Sequence, residues 1–272
     1  MEATPDRNAG VSGAGVEGLT PPLVLSLFPG IGLLDMAFEE AGFCVVRGPD
    51  LLWGGDIKRF HPPAGKFDGV TGGPPCQAWS RLSFLSRSNG YAIKPDLIPE
   101  FSRCVSECRP TWFLMENVED APLPVTASDY YVTKSLLRDV WVGGCTNRLR
   151  QFVFGRINGS SLAMRLPLDV VALHRQPEPS AVASNGGKYA DGRIAGPERK
   201  RLGLKTMRIP LSTQLRKQGL PDDFLADAPF TAEGKHRIIG NGVPLPMGRA
   251  VARAVKRAMY PDWKVEADLT TD

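Results

Sequence analysis

The chain has 272 residues, a formal net charge of +4 and five cysteines. This length suits one large domain, or a domain that carries a smaller insert. The cysteines are odd in number and form no Cys-x-x-Cys pair, and the three histidines lie far apart in sequence. This pattern argues against a disulfide framework or a zinc site and favours a reducing compartment. No apolar run is long enough to span a bilayer, and the glycine-rich residues 1–20 predict a disordered tail rather than a signal peptide.

The positive charge is concentrated in one part of the chain. Residues 147–208 contain twelve Lys/Arg and four Asp/Glu, a net charge of +8, which leaves −4 for the rest. A basic segment attached to a mildly acidic body is typical of a polyanion-binding insert, although a solvated loop would also be charged. The basic residues that we expect to contact phosphates are Arg199, Lys200, Arg201, Lys205 and Arg208.

The first predicted element is a strand, "PLVLSLF", which ends at the glycine turn "PGIG" and is followed by a helix, "LLDMAFEEAGF", that stops at Gly42. Apolar strands with polar or glycine residues at their C-terminal ends recur in "FCVV", "FDGVTGG" and "TWFLMEN". A second helix precedes the last of these, and its Cys104 and Cys108 are expected to be a buried pair of thiols. Alternating strands and helices predict an α/β fold with a Rossmann-like, doubly wound, mostly parallel sheet that binds ligands beyond the carboxyl ends of its strands.

Regular patterning stops after "RQFVFGR". From about residue 157 to 205 the chain is rich in Pro, Gly, Ser and basic residues. This composition predicts either a disordered linker or, given its length and its flanks, a small irregular domain. Helical patterns return in "PLSTQLRKQGLP" and "PLPMGRAVARAVKRAMY". We therefore predict a main domain at 21–156 and 235–264, a small domain at 157–234, and a tail at 265–272.

Polar or glycine residues follow the first two predicted strands. Gly30 and Gly32 let the backbone approach a nucleotide-like ligand, although a purely structural turn would also need them. Asp50 follows the second strand, where a carboxylate can hold the hydroxyls of a ribose, and Asp56 can accept from an adenine amino group. The sequence thus favours a nucleotide-like ligand at this edge of the sheet.

Cys76 lies in "GGPPCQAWS", directly after two prolines that restrict the backbone and hold the thiol at the mouth of the sheet. Glu116 and Asn117 end a further apolar strand at the same rim, where a buried, salt-bridged glutamate is the alternative interpretation. Arg148 and Arg150 lie two apart on a predicted strand, and hence on one face. Together these residues offer a nucleophile, an acid and a cationic clamp.

Taken in this order, the motifs "FPGIG", "GGPPCQAWS", "MENV", "TNRLRQF" and "GNGVPLPMGRAV" resemble those of the DNA cytosine-5 methyltransferase family. The resemblance runs from about residue 23 to 259, apart from the basic insert, and implies a class I methyltransferase fold with a small target-recognition domain. It also implies S-adenosylmethionine as methyl donor, S-adenosylhomocysteine as product, no metal, and double-stranded DNA as partner. The donor pocket that it implies consists of Phe28, Pro29, Gly30, Ile31, Gly32, Asp50, Leu51, Asp56, Ile57, Pro75, Leu97, Asn241 and Val243.

The resemblance also implies a mechanism. The Cys76 thiolate adds to carbon 6 of a flipped-out cytosine, because carbon 5 is otherwise too weak a nucleophile. Glu116 hydrogen-bonds ring nitrogen 3 and the exocyclic amine, and Arg148 steadies the carbonyl oxygen. Asn117 and Arg150 complete the catalytic set. The loop after Cys76 is expected to close on DNA phosphates, although it could be a plain surface loop. Its candidate residues are Ser80, Arg81, Ser83 and Arg87.

Three positions depart from the family pattern. Ser26 stands where members usually have Asp, Leu33 where they have a second Gly, and Thr146 where they have Gln. These departures bear on donor binding more than on the nucleophile. Two alternatives stay open: cytosine-5 methylation of RNA with a tRNA-like substrate, and a catalytically inert DNA-binding relative. We expect a monomer in the cytoplasm of a bacterial or phage-infected cell.

Overall fold

The computed structural model describes residues 20–79, 95–157, 176–178, 188–189, 201, 203 and 207–263. Six strands form its main sheet: β1 (Leu23–Leu27), β2 (Cys44–Arg47), β3 (Gly69–Gly72), β4 (Trp112–Asn117), β5 (Tyr130–Arg138) and β6 (Leu149–Ile157). Their order in space is β2-β1-β3-β4-β6-β5. A separate ribbon pairs β7 (Lys188–Tyr189) with β8 (Met207–Arg208).

Five of these six strands run in the same direction. β1 pairs in parallel with β2 and β3, and β3 pairs in parallel with β4. β6 is antiparallel to both β4 and β5, so β5 points the same way as β1. The prediction of a mostly parallel α/β sheet is confirmed. Parallel strands bring their carboxyl ends to one edge, and here Leu27, Arg47, Gly72 and Asn117 end their strands at that edge.

The α-helices with both ends described are α1 (Leu33–Glu40), α2 (Ile98–Cys108), α3 (Leu211–Lys217), α4 (Ala232–Asn241) and α5 (Leu245–Met259). Short 3-10 helices lie at Leu51–Trp53, Ile57–Arg59, Cys76–Ala78 and Asp139–Val142. The two helices predicted in the N-terminal half are confirmed as α1 and α2, and Gly42 follows α1 with a φ of 99°. Within the described ranges, no helix is long and apolar enough to cross a membrane.

Both faces of the sheet are covered. Successive residues of β4 point to opposite sides. Trp112 and Leu114 pack in one cluster with α1 and α5, whereas Phe113 and Met115 pack in a second cluster with α2. The two cysteines of α2 are free and fully buried in this second cluster, as predicted. The apolar side chains of this central strand are therefore shielded on both sides, and Glu116 and Asn117 lie at its carboxyl end.

The C-terminal helices belong to the first cluster. Leu215 of α3, together with Leu220 and Leu225 after it, packs with residues of α1, β4 and α5. α5 lies close to α1, because a Cβ on Gly248 would be only 3.0 Å from the Cβ of Ala37. The predicted small domain at 157–234 thus includes residues that share a cluster with the sheet, and the division of the chain into domains stays a prediction.

Candidate active site

The glycine turn between β1 and α1 has the backbone geometry that its sequence favours. Phe28, Gly30 and Gly32 all have positive φ, at 56°, 57° and 81°, and the Gly32 amide donates to the Pro29 carbonyl at 2.8 Å. This conformation is easy for glycine and strained for phenylalanine. A Cβ on Gly30 would meet no described atom within 4 Å, which leaves space for a ligand beside the turn.

Asp50 ties the end of β2 to this turn. One carboxylate oxygen accepts from the Gly30 amide at 2.9 Å, and the other accepts from the Leu52 amide at 2.7 Å. Trp53 adds a second link, because its Nε1 donates to the Gly30 carbonyl at 2.7 Å. Leu51 and Trp53 are 73% and 58% exposed. An apolar surface next to the turn is therefore accessible to a flat, apolar ligand group.

The other predicted donor residues after β2 fall into two groups. Ile57 and Leu97 are buried and pack with α2. Asp56 is exposed, and it accepts from the Lys58 amide at 3.0 Å. The half-buried members of the predicted pocket are Phe28, Pro29, Gly30, Ile31, Asp50 and Pro75.

The returning C-terminal segment reaches the first turn of α1. Gly242 packs against Leu33 so closely that a Cβ there would lie 2.6 Å from the leucine Cδ1. Asn241 is exposed, and Val243 is buried in the cluster around α1. The segment therefore lies beside the start of α1, and the assignment of Asn241 and Val243 to the donor pocket stays a prediction.

A buried carboxylate lies near the glycine turn, although Ser26 stands where the resembled family usually has Asp. The Ser26 hydroxyl donates to Asp35 of α1 at 2.5 Å, and Arg47 Nε donates to the same carboxylate at 3.0 Å. Burial raises the pKa of Asp35, while Ser26 and Arg47 act in the opposite direction. The Arg47 guanidinium also covers Gly32, where a Cβ would lie 2.7 Å from Nη2. Asp35 of α1 thus places a carboxylate beside Ser26, at the end of β1.

Glu116 of β4 and Arg150 of β6 form an ion pair at the carboxyl edge, with 2.9 Å between Oε1 and Nε. Both side chains are largely buried. Asn117 donates from Nδ2 to the Pro74 carbonyl at 3.1 Å, which holds the segment that carries the predicted nucleophile. Gly73 in this segment lies against the ion pair, because a Cβ there would be 3.2 Å from Oε2 of Glu116.

Arg148 lies one residue before β6 and is 5% exposed. Its Nη1 donates to the carbonyl of Gly240 in α4 at 2.9 Å, whereas its Nε has no partner among the described residues. Burial, followed by the neighbouring Arg150, lowers the pKa of Arg148. A buried guanidinium with an N–H left over can bind an acceptor that enters the site.

The Cys76 thiol lies within electrostatic reach of these groups. Burial raises the pKa of Cys76, the Glu116 carboxylate raises it further, and Arg150 and Arg148 act in the opposite direction. Burial also raises the pKa of Glu116, against the effect of Arg150. The structure therefore brings together the residues predicted as nucleophile, acid and clamp. A protonated glutamate can donate a hydrogen bond here, and the arginines can stabilise a thiolate.

Part of this chain is similar in sequence to a family of known proteins. The profile of the C-5 cytosine-specific DNA methylase family matches residues 54–137. The Type II methyltransferase M.HgiGI of Herpetosiphon aurantiacus is 30% identical over 120 residues, which cover 36% of this chain and 92% of that protein. The chain belongs to the C-5 cytosine-specific DNA methylase family.

A second relative and a solved structure extend the comparison. The Type II methyltransferase M.FnuDI of Fusobacterium nucleatum is 35% identical over 112 residues, which cover 35% of this chain. The aligned part spans about a third of that relative's length, 32%. The S. pombe Dnmt2 methyltransferase has a similar fold, with a TM-score of 0.56 at 13% identity, over 88% of this chain and 100% of that one. The class I methyltransferase fold of this family member is confirmed.

Two residues near the candidate active site were not predicted from the sequence. Trp53 contacts the glycine turn, and its place three residues after Asp50 is the signal that could have found it. Asp139 is fully buried and accepts from the amide and the hydroxyl of Thr146, at 3.0 and 2.7 Å. The Asp139 amide also donates to the Arg148 carbonyl at 3.0 Å. Thr146 therefore anchors the loop before Arg148, where the resembled family usually has Gln.

Most of the predicted DNA contacts lie outside the described residues. These are Ser80, Arg81, Ser83, Arg87, Arg199, Lys200 and Lys205. Arg201 is exposed, and Arg208 belongs to β8. These contacts stay predictions.

Proposed function

We propose that this chain transfers a methyl group from S-adenosylmethionine to carbon 5 of a cytosine in DNA. The observation that carries the proposal is the buried cluster of Cys76, Glu116, Arg148 and Arg150 at the carboxyl edge of the sheet. Membership of the C-5 cytosine-specific DNA methylase family supports it. M.HgiGI and M.FnuDI are both Type II methyltransferases by name.

The residues around the glycine turn fit S-adenosylmethionine. The space beside Gly30 admits a ligand against the backbone, and Asp50 presents a carboxylate for ribose hydroxyls. The exposed apolar side chains of Leu51 and Trp53 can cover the adenine, whose amino group Asp56 can bind. S-adenosylmethionine supplies a methyl group bonded to a positively charged sulfur.

In the proposed reaction Cys76 loses its proton, and its sulfur bonds to carbon 6 of the cytosine. The electron pair of the 5,6 double bond then bonds carbon 5 to the methyl group, as the bond between that methyl group and the sulfonium sulfur breaks and S-adenosylhomocysteine is left. Loss of the carbon 5 proton to a base and departure of the Cys76 sulfur re-form the double bond. Because burial and the charge of Glu116 raise the pKa of Cys76, we expect the thiolate to form once a proton neutralises Glu116 in contact with the base.

Glu116 and the two arginines act on the charge that addition places on the ring. Burial raises the pKa of Glu116, so this side chain can hold a proton and donate a hydrogen bond to ring nitrogen 3. Arg148, held by Gly240, has Nε available for the cytosine carbonyl oxygen. Arg150 keeps the Glu116 carboxyl group in place. In this proposal the hydrogen-bond donors of Glu116 and Arg148 are in position before the reaction begins. Electrostatic stabilisation is most effective when the groups that provide it are positioned in advance.

This chemistry requires the cytosine to leave the base stack, because its carbon 6 is not accessible to a thiol within a duplex. Residues 157–208 contain nine Lys/Arg and four Asp/Glu, a net charge of +5, which supports phosphate contacts along the DNA backbone. We propose that the predicted recognition segment at 157–234 makes these contacts while the sheet edge binds the flipped base.

Covalent trapping tests the proposal. Duplex DNA of random sequence, with 5-fluorocytosine in place of cytosine, is incubated with the protein and S-adenosylmethionine. We expect a protein–DNA adduct that survives denaturation and maps to Cys76, because fluorine at carbon 5 cannot leave as a proton does. The Cys76→Ser variant should form none. An adduct that forms only on tRNA with 5-fluorocytosine would mean that the substrate is RNA rather than DNA. The absence of an adduct on both DNA and tRNA would refute the proposed chemistry.

A further inference from the structure

Glu178 of the basic segment connects the loop before Arg148 to α3. It lies between Pro177 and Pro179. Pro177 has a fixed φ, and Pro179 disfavours helical backbone at the residue before it. The sequence therefore favours an extended Glu178, whose amide and carbonyl can pair with a neighbouring chain as in a strand.

Backbone hydrogen bonds attach Glu178 to this loop. Its amide donates to the Cys145 carbonyl at 2.9 Å, and its carbonyl accepts from the Asn147 amide at 3.0 Å. The result is a parallel bridge opposite Thr146. Asp139 binds the amide and the hydroxyl of the same Thr146. The loop that leads into β6 is therefore held from two sides.

The carboxylate of Glu178 reaches α3. Its oxygens lie 3.3 Å from Arg216 Nη1 and 3.5 Å from Lys217 Nζ. The Arg216 side chain is 59% exposed, so this ion pair is screened by water, whereas the Lys217 side chain is 7% exposed. The pair with Lys217 is the stronger link, because charges attract more strongly where water is excluded.

α3 is in turn bonded to α4. Two buried glutamines of α3 and the residue after it donate to backbone carbonyls of α4, at 2.9 and 2.6 Å. The second of these carbonyls belongs to Ile239, and the next residue, Gly240, accepts from the Arg148 guanidinium at 2.9 Å. A closed ring of contacts thus runs from Glu178 through α3 and α4 to the Arg148 side chain, and from Glu178 through the loop to the Arg148 backbone.

We propose that Glu178 is a positioning residue that holds Arg148 at both its backbone and its guanidinium. The proposal rests on the function proposed above, in which Arg148 stabilises the charge on the cytosine ring. It also means that the segment predicted to read DNA is bonded, through Glu178, to the catalytic centre. Misplacement of a catalytic group lowers the rate of the chemical step more than the affinity for a donor bound elsewhere.

The test compares Glu178→Gln with Glu40→Gln in the full chain. The first variant leaves the backbone groups of the bridge in the chain and removes the carboxylate charge that ties Glu178 to α3. Glu40 forms an ion pair with Arg249 between α1 and α5, and its side-chain exposure of 42% is close to the 39% of Glu178. Three quantities are measured: the single-turnover rate of methyl transfer to duplex DNA, the affinity for S-adenosylmethionine by calorimetry, and hydrogen exchange at the Asn147 amide.

For Glu178→Gln we expect the single-turnover rate to fall about tenfold, as for other residues that couple two elements. Donor affinity should be unchanged, exchange at the Asn147 amide should be faster, and Glu40→Gln should match the parent in all three. An unchanged rate would overturn the proposal. The proposal would also be overturned if Glu40→Gln lowered the single-turnover rate equally. The same holds if Glu178→Gln lowered the affinity for S-adenosylmethionine along with the rate.

A second variant, Lys217→Met, tests the ring through its other member. If Glu178 and Lys217 act as one pair, the double variant should be no slower than either single variant. If the fold-reductions in rate of the two single variants multiply in the double variant, the two residues act independently, which would contradict the ring of contacts. A parent protein that methylates no DNA would refute the proposed function instead, and exchange at Asn147 would then decide the role of Glu178, since unchanged exchange in Glu178→Gln would overturn it.

Discussion

Replacement of Arg150 by methionine should destabilise the protein in a way that depends on pH. Glu116 would remain buried without the cation that lies 2.9 Å away. Removal of one member of a buried ion pair typically costs roughly 3 to 5 kcal/mol. We expect about 3 kcal/mol here, the low end of that range, because Arg148 also lies within electrostatic reach of Glu116.

The pH dependence follows from the direction of the Glu116 shift. Burial raises its pKa and Arg150 opposes that rise, so Arg150→Met should raise the pKa of Glu116 further. A raised pKa in the folded state favours folding at low pH, and this contribution is lost as pH rises through the folded pKa. The loss of unfolding free energy in Arg150→Met, relative to the parent, should therefore be small at acidic pH and should grow as pH rises.

Urea unfolding at about pH 5 and about pH 8 measures this deficit. Arg249→Met is the matched control, because Arg249 pairs with Glu40 at the surface and exposed pairs contribute about 0 to 1 kcal/mol. The same loss of unfolding free energy in both variants, or a deficit for Arg150→Met that is equal at both pH values, would refute the reasoning.

Three further predictions concern the donor turn, the loop and the thiol. Thr146→Val should lower the free energy of unfolding by about 2 kcal/mol, because a buried hydrogen bond to a carboxylate is lost; urea unfolding checks this. Gly32→Ala and Gly54→Ala should be similarly strained, at φ of 81° and 82°, but only Gly32→Ala displaces the Arg47 guanidinium that covers the turn and pairs with Asp35. Calorimetry should therefore show weaker S-adenosylmethionine binding for Gly32→Ala alone. Glu116→Gln should move the pH midpoint of Cys76 alkylation downward, because the anion that raises the thiol pKa is gone.

Local patterning predicts most of the sheet but not the direction of its strands. The apolar run before the glycine turn and the helix that stops at Gly42 are each visible within one element, and the structure confirms both. Nothing within "RQFVFGR" shows that β6 runs against its neighbours. That direction depends on where the chain re-enters the sheet, which is a property of the whole fold.

In the candidate site, too, the sequence predicts some residues and leaves others to be found in the folded structure. Motif order and residue chemistry predict Cys76, Glu116 and Arg148, and the structure brings these three within electrostatic reach of one another. The residues that hold them in place are not predicted. Asp139 contacts Thr146, seven residues further along the chain, and Glu178 contacts Lys217 in a distant segment. A lone acidic residue carries no periodic signal that predicts either contact.

Bisulfite sequencing of plasmid DNA tests the central claim most directly. The plasmid is recovered from cells that lack cytosine methylation and that express either the parent protein or Cys76→Ala. The account predicts 5-methylcytosine in a recurring short sequence context with the parent, and none with the variant, because no thiolate is left to activate carbon 5. Plasmid without methylcytosine from the parent, or with equal methylation from both proteins, would contradict it.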